Sequence, residues 1–204
     1  MHWRVYEEFG RIVSDRGQGG TVLEVGAIPS DESLLCMAAL KGAKERIGIN
    51  LSGPHEYKGC KIVKGNSNRM TCFDNDMFDI VLCNALIEHD KYFWKTIDEI
   101  KRVTKPGGLV VIGAPGFTRL KAERIKSYLK KTPIIRYLNS TEHLSLFTRA
   151  TITFEIHAAP GDYYRFSPQA FKEVLFDGMD AVEVRTIMLP PRIIGAGIKA
   201  VPLS

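Results

Sequence analysis

The sequence lacks several features that would assign it to a specialised class of protein. It contains no run of about 18 apolar residues, so no helix is expected to span a membrane. Its first residues, Met1 to Glu8, lack the apolar core of a secretory signal peptide. Only four cysteines occur, and none forms a C-x-x-C pair. We therefore expect free thiols, no metal site and a reducing, cytoplasmic setting.

The composition is that of a folded globular protein, with 45% hydrophobic and 25% charged residues. The 204-residue length predicts a single domain, residues 1–204. The net charge of +5 is too small to indicate nucleic-acid binding by itself. Its distribution is uneven: residues 115–150 hold eight basic and two acidic residues, a net charge of +6. The basic residues are Arg119, Lys121, Arg124, Lys126, Lys130, Lys131, Arg136 and Arg149.

Strand and helix patterns alternate along the first half of the chain, which favours a doubly wound α/β sheet. We predict strands over 21–25, 46–50, 61–64, 78–84 and 109–114, and helices over 5–13, 33–40 and 92–104. The alternation stops after residue 114. A helix over 168–176 and two strands over 181–188 and 193–201 follow, the strands joined by Pro190-Pro191. Such a short connection favours an antiparallel pair.

The first strand ends in Glu24-Val25-Gly26-Ala27. An acidic residue inside a buried strand, followed by glycine, is unusual. Open α/β sheets bind ligands at the carboxyl ends of their strands, and a glycine lets a ligand approach the backbone. A tight strand-to-helix turn without a ligand is the alternative that these residues alone leave open.

Two further motifs follow. One joins the strand Phe78-Asp79-Ile80-Val81 to Glu88-His89, and the other runs from Glu99 through Arg102-Val103 to Lys105-Pro106-Gly107-Gly108. Together with the first they resemble the class I S-adenosylmethionine-dependent methyltransferases, type-11 group, over residues 20–115. The stretch from His157 through Asp162-Tyr163-Tyr164-Arg165-Phe166 to Phe171 is similar to a segment found in one branch of that group.

The resemblance, with five βα repeats followed by a terminal pair of strands, predicts a Rossmann-like fold. Seven strands are expected in the order 3-2-1-4-5-7-6, with strand 7 antiparallel. Residues 115–160 are expected to form a helical lid, inserted after strand 5, that contributes to the acceptor site.

The resemblance also implies a cofactor site for S-adenosyl-L-methionine. Glu24, Gly26 and Ala27 would line its methionine end, and Asn84 and Ala85 would face the sulfonium. Asn50 and Leu51 would meet the ribose and adenine, and Asn66 and Ser67 the adenine edge.

Three positions depart from the family pattern. The glycine loop continues as Ala27-Ile28, and Asn50 and Asn66 stand where the family carries acids. A catalytically impaired, methyltransferase-like binding protein is therefore the alternative to an active enzyme. If Asn50 holds the ribose hydroxyls, Asn50→Asp should tighten cofactor binding, because a charged acceptor forms stronger hydrogen bonds.

Methyl transfer from a sulfonium depends mainly on alignment and desolvation. A base is needed only if the acceptor carries a proton near the barrier, and His89 and His157 are the candidates. A structural role for either histidine is the alternative. The Asp162-Tyr163-Tyr164-Arg165 cluster is interpreted as ordering a loop at the edge of the substrate site.

The basic segment favours a small or carrier-borne acceptor with an anionic group. A solvated helix capping the pocket and peripheral membrane contact remain alternatives. The absence of N-P-P-Y and of aromatic-basic interleaving argues against nucleic acid. The absence of G-x-G-x-x-G argues against a dinucleotide-dependent oxidoreductase.

Overall fold

Most of the chain folds around one mixed sheet. The structure, a computed structural model, describes residues 1–17, 19–119, 151–156 and 161–202. Its helices are α1 (Trp3–Arg16), α2 (Phe93–Val103) and α3 (Pro168–Ala170), which continues into a π-helical turn, Phe171–Leu175. The strands are β1 (Thr21–Val25), β2 (Glu45–Asn50), β3 (His55–Tyr57), β4 (Cys60–Lys64), β5 (Phe78–Asn84), β6 (Thr104–Pro115), β7 (Phe117–Arg119), β8 (Thr151–Thr153), β9 (Met179–Ile187) and β10 (Arg192–Lys199).

The main sheet has the strand order β3-β4-β2-β1-β5-β6-β10-β9. Strands β4, β2, β1, β5 and β6 pair in parallel, whereas β10 is antiparallel to both of its neighbours. The predicted order 3-2-1-4-5-7-6, with the last strand antiparallel and inserted before the sixth, is therefore confirmed. The carboxyl ends of the parallel strands share one edge with the beginning of β10.

The predicted count of seven strands is too low by one, because β3 adds an eighth at the outer edge. It pairs with β4 in a hairpin whose two central residues, Lys58 and Gly59, have φ of 48° and 72°. Positive φ at both positions matches the two-residue turns that suit the twist of a hairpin. The strand has only three residues and little apolar character, which leaves no periodic signal in the sequence.

Helices cover both faces of the sheet because its central strands are apolar at successive positions. Residues that alternate along a strand face opposite sides. Ile80 and Leu82 of β5 pack in the cluster that contains α1, whereas Val81 and Cys83 pack in the cluster that contains α2 and α3. Near-continuous apolar strands are typical of a parallel sheet buried on both faces.

The segment predicted as a helix over 33–40 instead forms two short 3₁₀ turns, Leu34–Cys36 and Ala38–Leu40. Between them Met37 is extended, with φ −59° and ψ 140°. The Leu35 carbonyl accepts a hydrogen bond from Arg46 at 3.0 Å. That carbonyl would bond the amide four residues later in an α-helix, so its partner on β2 competes with helix formation.

The predicted lid falls mostly outside the described residues, which omit 120–150 and 157–160. Its described ends are paired: β7 and β8 form an antiparallel ladder in which Phe117 faces Thr153 and Arg119 faces Thr151. The insertion thus begins immediately after β6, and its two described ends lie side by side as β7 and β8. None of the helices in the described part of the chain has the length and apolar character needed to cross a membrane.

Asp79 fastens the edge of the sheet opposite the strand carboxyl ends. Its carboxylate accepts hydrogen bonds from the Thr21 amide at 2.7 Å and from Lys105 Nζ at 2.8 Å. Burial alone would raise the pKa of Asp79, but these hydrogen bonds outweigh burial, and the pKa lies below its usual value. One carboxylate of the family-like motif therefore joins β1, β5 and β6.

Replacing Asp79 with Asn should lower the free energy of unfolding by about 1–2 kcal/mol near neutral pH, because the charged hydrogen bonds are lost. The lowered pKa of Asp79 means that its contribution is complete above the unfolded value of about 3.9. The contribution is lost as the pH falls through the folded pKa. Urea denaturation from about pH 7 to about pH 2 measures the unfolding free energies of the native protein and the variant, whose difference should become smaller as the pH falls. The exposed Asp98→Asn is the control, and a gap that stays constant with pH would contradict the assignment.

Candidate functional site

Two adjoining cavities open at the carboxyl ends of β1 and β5. The smaller, about 260 Å³, is here called the Arg192 cavity, and the larger, about 410 Å³, the Asn50 cleft. Gly26 and Ala85 line both. The Arg192 cavity is also lined by Met1, His2, Val5, Glu24, Ile28, Glu32, Asn84, Phe154 and Arg192. The Asn50 cleft is also lined by Ile49, Asn50, Leu51, Gly65, Asn66, Ser67, Asn68, Leu86, His89, Asp90, Lys91 and Tyr163.

The boundary between the cavities is formed by two turns in the left-handed region. Gly26 has φ +86° and Ala85 has φ +52°. A Cβ on Gly26 would lie 2.7 Å from Leu86 Cδ1. Left-handed backbone at a residue with a side chain costs about 1–2 kcal/mol, and such conformations concentrate at functional sites. Ala85 is therefore a strained residue at the point where the two cavities meet.

Glu24 stabilises the turn that follows β1. Its buried carboxylate accepts hydrogen bonds from the Ser33 hydroxyl and, at 3.3 Å, from the Leu35 amide. Burial raises the pKa of Glu24, and these hydrogen bonds oppose the shift only in part. The residue therefore both lines the Arg192 cavity and holds the 3₁₀ turn against the sheet.

Asn50 joins two loops through both ends of its amide. Nδ2 donates to the Ala27 carbonyl at 2.8 Å, and Oδ1 accepts from the Ser52 amide at 3.0 Å and the Ser52 hydroxyl at 3.1 Å. An amide oxygen has two lone pairs, and Ser52 occupies both. A carboxylate at position 50 would face the Ala27 carbonyl without a proton to donate. The amide is thus suited to fastening the glycine loop to the end of β2.

The side of the Asn50 cleft that follows β4 has polar residues inside and an apolar residue at its rim. The Ser67 hydroxyl donates to Thr96 Oγ1 at 2.8 Å, and Asn66 Oδ1 accepts a hydrogen bond from the Asn68 amide at 2.9 Å. Asp90 accepts a hydrogen bond from Thr96 at 2.7 Å. Leu51 is 70% exposed at the rim, where it can cover a flat apolar ligand.

Asn84 occupies space that exists because residue 113 is glycine. A Cβ on Gly113 would lie 2.5 Å from Asn84 Oδ1. Within the described residues this buried oxygen has no hydrogen-bond partner. Asn84 therefore packs its oxygen against the backbone of β6 while its side chain forms part of the cavity wall.

The Glu88-His89 motif and the Asp162–Arg165 motif meet in space. The Glu88 carbonyl accepts a hydrogen bond from the Tyr163 amide at 2.8 Å, and His89 Nδ1 contacts the Gly161 carbonyl. Arg165 donates to the Asp162 carboxylate and to the Phe154 carbonyl. The second motif thus joins the chain after β8 to the segment that follows Gly161.

Eight of the nine predicted cofactor residues line one or both cavities. The exception is Ala27, which is fully buried and contributes its carbonyl to Asn50 instead. His89 lies in the Asn50 cleft, and His157 lies outside the described residues. Sequence reasoning missed Phe154 and Arg192, which reach the cavity from the segment after β8 and from β10. Neither residue belongs to a motif, so only the topology could reveal them.

Comparisons with known proteins agree with this architecture. A family model described as "Methyltransferase domain" matches residues 27–112. A Haemonchus contortus phosphoethanolamine N-methyltransferase 2, in complex with phosphomonomethylethanolamine and S-adenosylhomocysteine, is 14% identical with a TM-score of 0.62. That match covers 98% of this chain, but the chain spans only 53% of the Haemonchus protein.

Two other solved structures have similar lengths. The YcgJ protein of Bacillus subtilis is 14% identical with a TM-score of 0.61, over 98% of this chain and 100% of its own. An Archaeoglobus fulgidus SAM-dependent methyltransferase is 15% identical with a TM-score of 0.64, over 97% and 94%. No curated protein matches the sequence. Identities this low establish the fold alone, whereas the family match contains the Glu88-His89 pair and the Pro106-Gly107-Gly108 turn. Together they show the fold of the S-adenosylmethionine-dependent methyltransferases and a methyltransferase-domain match over residues 27–112, in agreement with the resemblance of the sequence motifs.

Proposed function

We propose that the protein transfers the methyl group of S-adenosylmethionine to a small or carrier-borne acceptor that carries an anionic group. The observation that carries this proposal is the meeting of two cavities over Gly26 and Ala85. A reaction between two bound molecules requires their reacting atoms within about 3–3.5 Å of each other. Adjoining cavities with a common wall meet that requirement.

The residues of the Asn50 cleft fit an adenosine group. Gly26 leaves the backbone open, Leu51 offers an apolar cover, and Asn66 and Ser67 supply polar atoms at the far side. The ribose position is the weakest part of the fit, because the Asn50 amide is already engaged by Ala27 and Ser52. We infer that the ribose hydroxyls bind by displacing the Ser52 hydroxyl or through backbone groups.

The bound cofactor supplies an electrophilic methyl group and a neutral leaving group. The task of the protein is then to align the acceptor and to exclude water. Contact between His89 Nδ1 and the Gly161 carbonyl requires a proton on that nitrogen, so Nε2 is the ring nitrogen that would accept a proton from the acceptor. The acceptor's anionic character is supported by the net charge of +6 between residues 115 and 150, which follow β6.

A methyltransferase-like binding protein is the second candidate. The engaged Asn50 amide favours it, because the ribose loses its usual acidic partner. Isothermal titration with S-adenosylmethionine, S-adenosylhomocysteine and NAD separates the candidates from each other and from a dinucleotide enzyme. Binding of both sulfur compounds, with transfer of the methyl group from S-adenosylmethionine to a member of an acceptor panel, supports an enzyme. Tight binding without turnover over an acceptor panel supports the binding protein.

Gly26→Ala should weaken S-adenosylhomocysteine binding at least tenfold, because φ +86° strains the backbone and the new methyl group would displace Leu86. Gly178→Ala is a matched control: it has φ +71° and nothing within 4 Å of its Cβ. Both variants should lose about 1–2 kcal/mol of stability. Equal affinity in the Gly26 variant and the control would place the cofactor elsewhere.

Asn50→Asp should weaken S-adenosylhomocysteine binding about fivefold and lower the unfolding free energy by about 1 kcal/mol, because the hydrogen bond to Ala27 is lost. The structure thus reverses the sequence-based expectation of tighter binding. Asn75→Asp is the control, since Asn75 uses only its oxygen, which accepts from Arg102, and lies in neither cavity. Titration calorimetry measures both affinities. Tighter binding by the Asn50→Asp variant than by the native protein would show that the ribose hydroxyls are partners of this side chain after all.

A further inference from the structure

Arg192 places a buried guanidinium in the wall of the Arg192 cavity. Its side chain is 17% exposed, and its Nη1 is sealed from solvent. Among the described residues, this nitrogen has no hydrogen-bond acceptor. A buried charged donor without an acceptor is costly, and arginine keeps its charge in proteins. Arg192 therefore adds a positive charge to the cavity wall, while its Nη1 lies on the buried side, near Glu88.

A neighbouring arginine shows what a purely structural role looks like in this region. Arg165 donates five hydrogen bonds, to the carboxylate of Asp162 and to the carbonyls of Phe154, Tyr164 and Glu155. Its donors are thus directed into the protein. Arg192 donates no side-chain hydrogen bond to any described residue, although it lies in the same part of the fold. The two guanidinium groups therefore have different roles.

Glu88 and Phe154 hold Arg192 in place without using its donors. Glu88 Oε1 lies 3.6 Å from Arg192 Nη1, an ion-pair separation that exceeds hydrogen-bond length. The guanidinium carbon lies 4.5 Å from the centroid of the Phe154 ring. Stacking uses the face of the guanidinium, whereas its N–H donors lie in the plane of the group and are not used by the Phe154 ring. Glu88 and Phe154 are thus positioning residues for Arg192.

The topology assigns Arg192 to the acceptor side of the site. It is the first residue of β10, and its partner across the ladder is Pro115, the last residue of β6. Two strand spacings, about 10 Å, separate β10 from β5. A third spacing separates β10 from β1 and its glycine turn. Arg192 therefore lies on the β6 side of a cavity that extends to Glu24, Gly26 and Asn84 at the ends of β1 and β5.

We propose that Arg192 binds a carboxylate or phosphate group of the methyl acceptor. This inference rests on the proposed methyl-transfer function and assigns its acceptor to the anionic class. The guanidinium fork matches the paired oxygens of both groups, and bidentate pairs of this kind are strong and directional. A cavity of about 260 Å³ suits a small anionic group with a short body.

The test measures binding of inorganic phosphate to the full chain saturated with S-adenosylhomocysteine. Binding is monitored by ³¹P NMR titration at constant ionic strength. Arg192→Gln should weaken phosphate binding at least tenfold, and Arg192→Lys about threefold, because lysine keeps the charge but loses the fork. Arg185→Gln is the matched control: Arg185 lies on the adjacent strand β9, is 52% exposed, and is not part of either cavity. It should bind phosphate like the native protein.

A second variant distinguishes loss of phosphate binding from misfolding of the single variant. Arg192→Gln leaves Glu88 buried without this cation, so Arg192→Gln with Glu88→Gln removes both charges together. The double variant, with its fold checked by circular dichroism, should lose phosphate binding as the single variant does. Native-like phosphate binding in either variant, or no phosphate binding by the native protein that binds S-adenosylhomocysteine, would overturn this proposal alone.

The cofactor also carries a carboxylate, and a second titration distinguishes the two sources. S-adenosylhomocysteine has the amino-acid end, whereas 5′-methylthioadenosine lacks it. Unchanged affinity of Arg192→Gln for both compounds supports the acceptor. A tenfold loss for S-adenosylhomocysteine alone would assign Arg192 to the cofactor and overturn the proposal. Absence of S-adenosylhomocysteine binding by the native protein would overturn the proposed function, and the acceptor assignment with it.

Discussion

The site depends on a backbone constraint at the ends of two adjacent parallel strands. After β1 and after β5 the chain enters the left-handed region, at Gly26 and at Ala85. Both turns line both cavities, so the backbone at these two residues forms their common wall. Because Leu86 packs where a Gly26 side chain would be, the two turns are also coupled sterically.

The parts of the molecule that the sequence could predict are those with a local sequence signal. The central strands are apolar at successive positions, and a Pro-Gly turn ends α2, so the sequence predicts the doubly wound sheet. The strand order follows from the family resemblance. The residues of the glycine loop and of the strand ends follow from the family motifs. The 3₁₀ turns at 34–40 could not be predicted from the sequence, because they depend on a hydrogen bond that Arg46 of β2 donates to the Leu35 carbonyl. Their composition alone is that of a helix.

Arg192 illustrates the limit for the site. In sequence it follows Pro190-Pro191 and belongs to no motif. It reaches the cavity only because β10 is inserted antiparallel between β6 and β9, which brings its first residue to the edge where the parallel strands end. Asn50 shows a second limit. Its residue type suggested a weakened ribose ligand, but its partners, Ala27 and Ser52, give it a structural task that spacing could not reveal.

The family motifs themselves acquire a common physical meaning. Glu88-His89 and the Asp162–Arg165 segment are more than 70 residues apart, yet the Glu88 carbonyl and the His89 ring contact the segment that begins at Gly161. Arg165 then fastens that segment to the chain just after β8. The two motifs therefore form one clamp, which joins Glu88-His89, the segment from Gly161 to Arg165 and the chain just after β8. Since the clamp is made chiefly of backbone carbonyls and one saturated arginine, it leaves Arg192 as the cation available to a ligand within the described wall of that cavity.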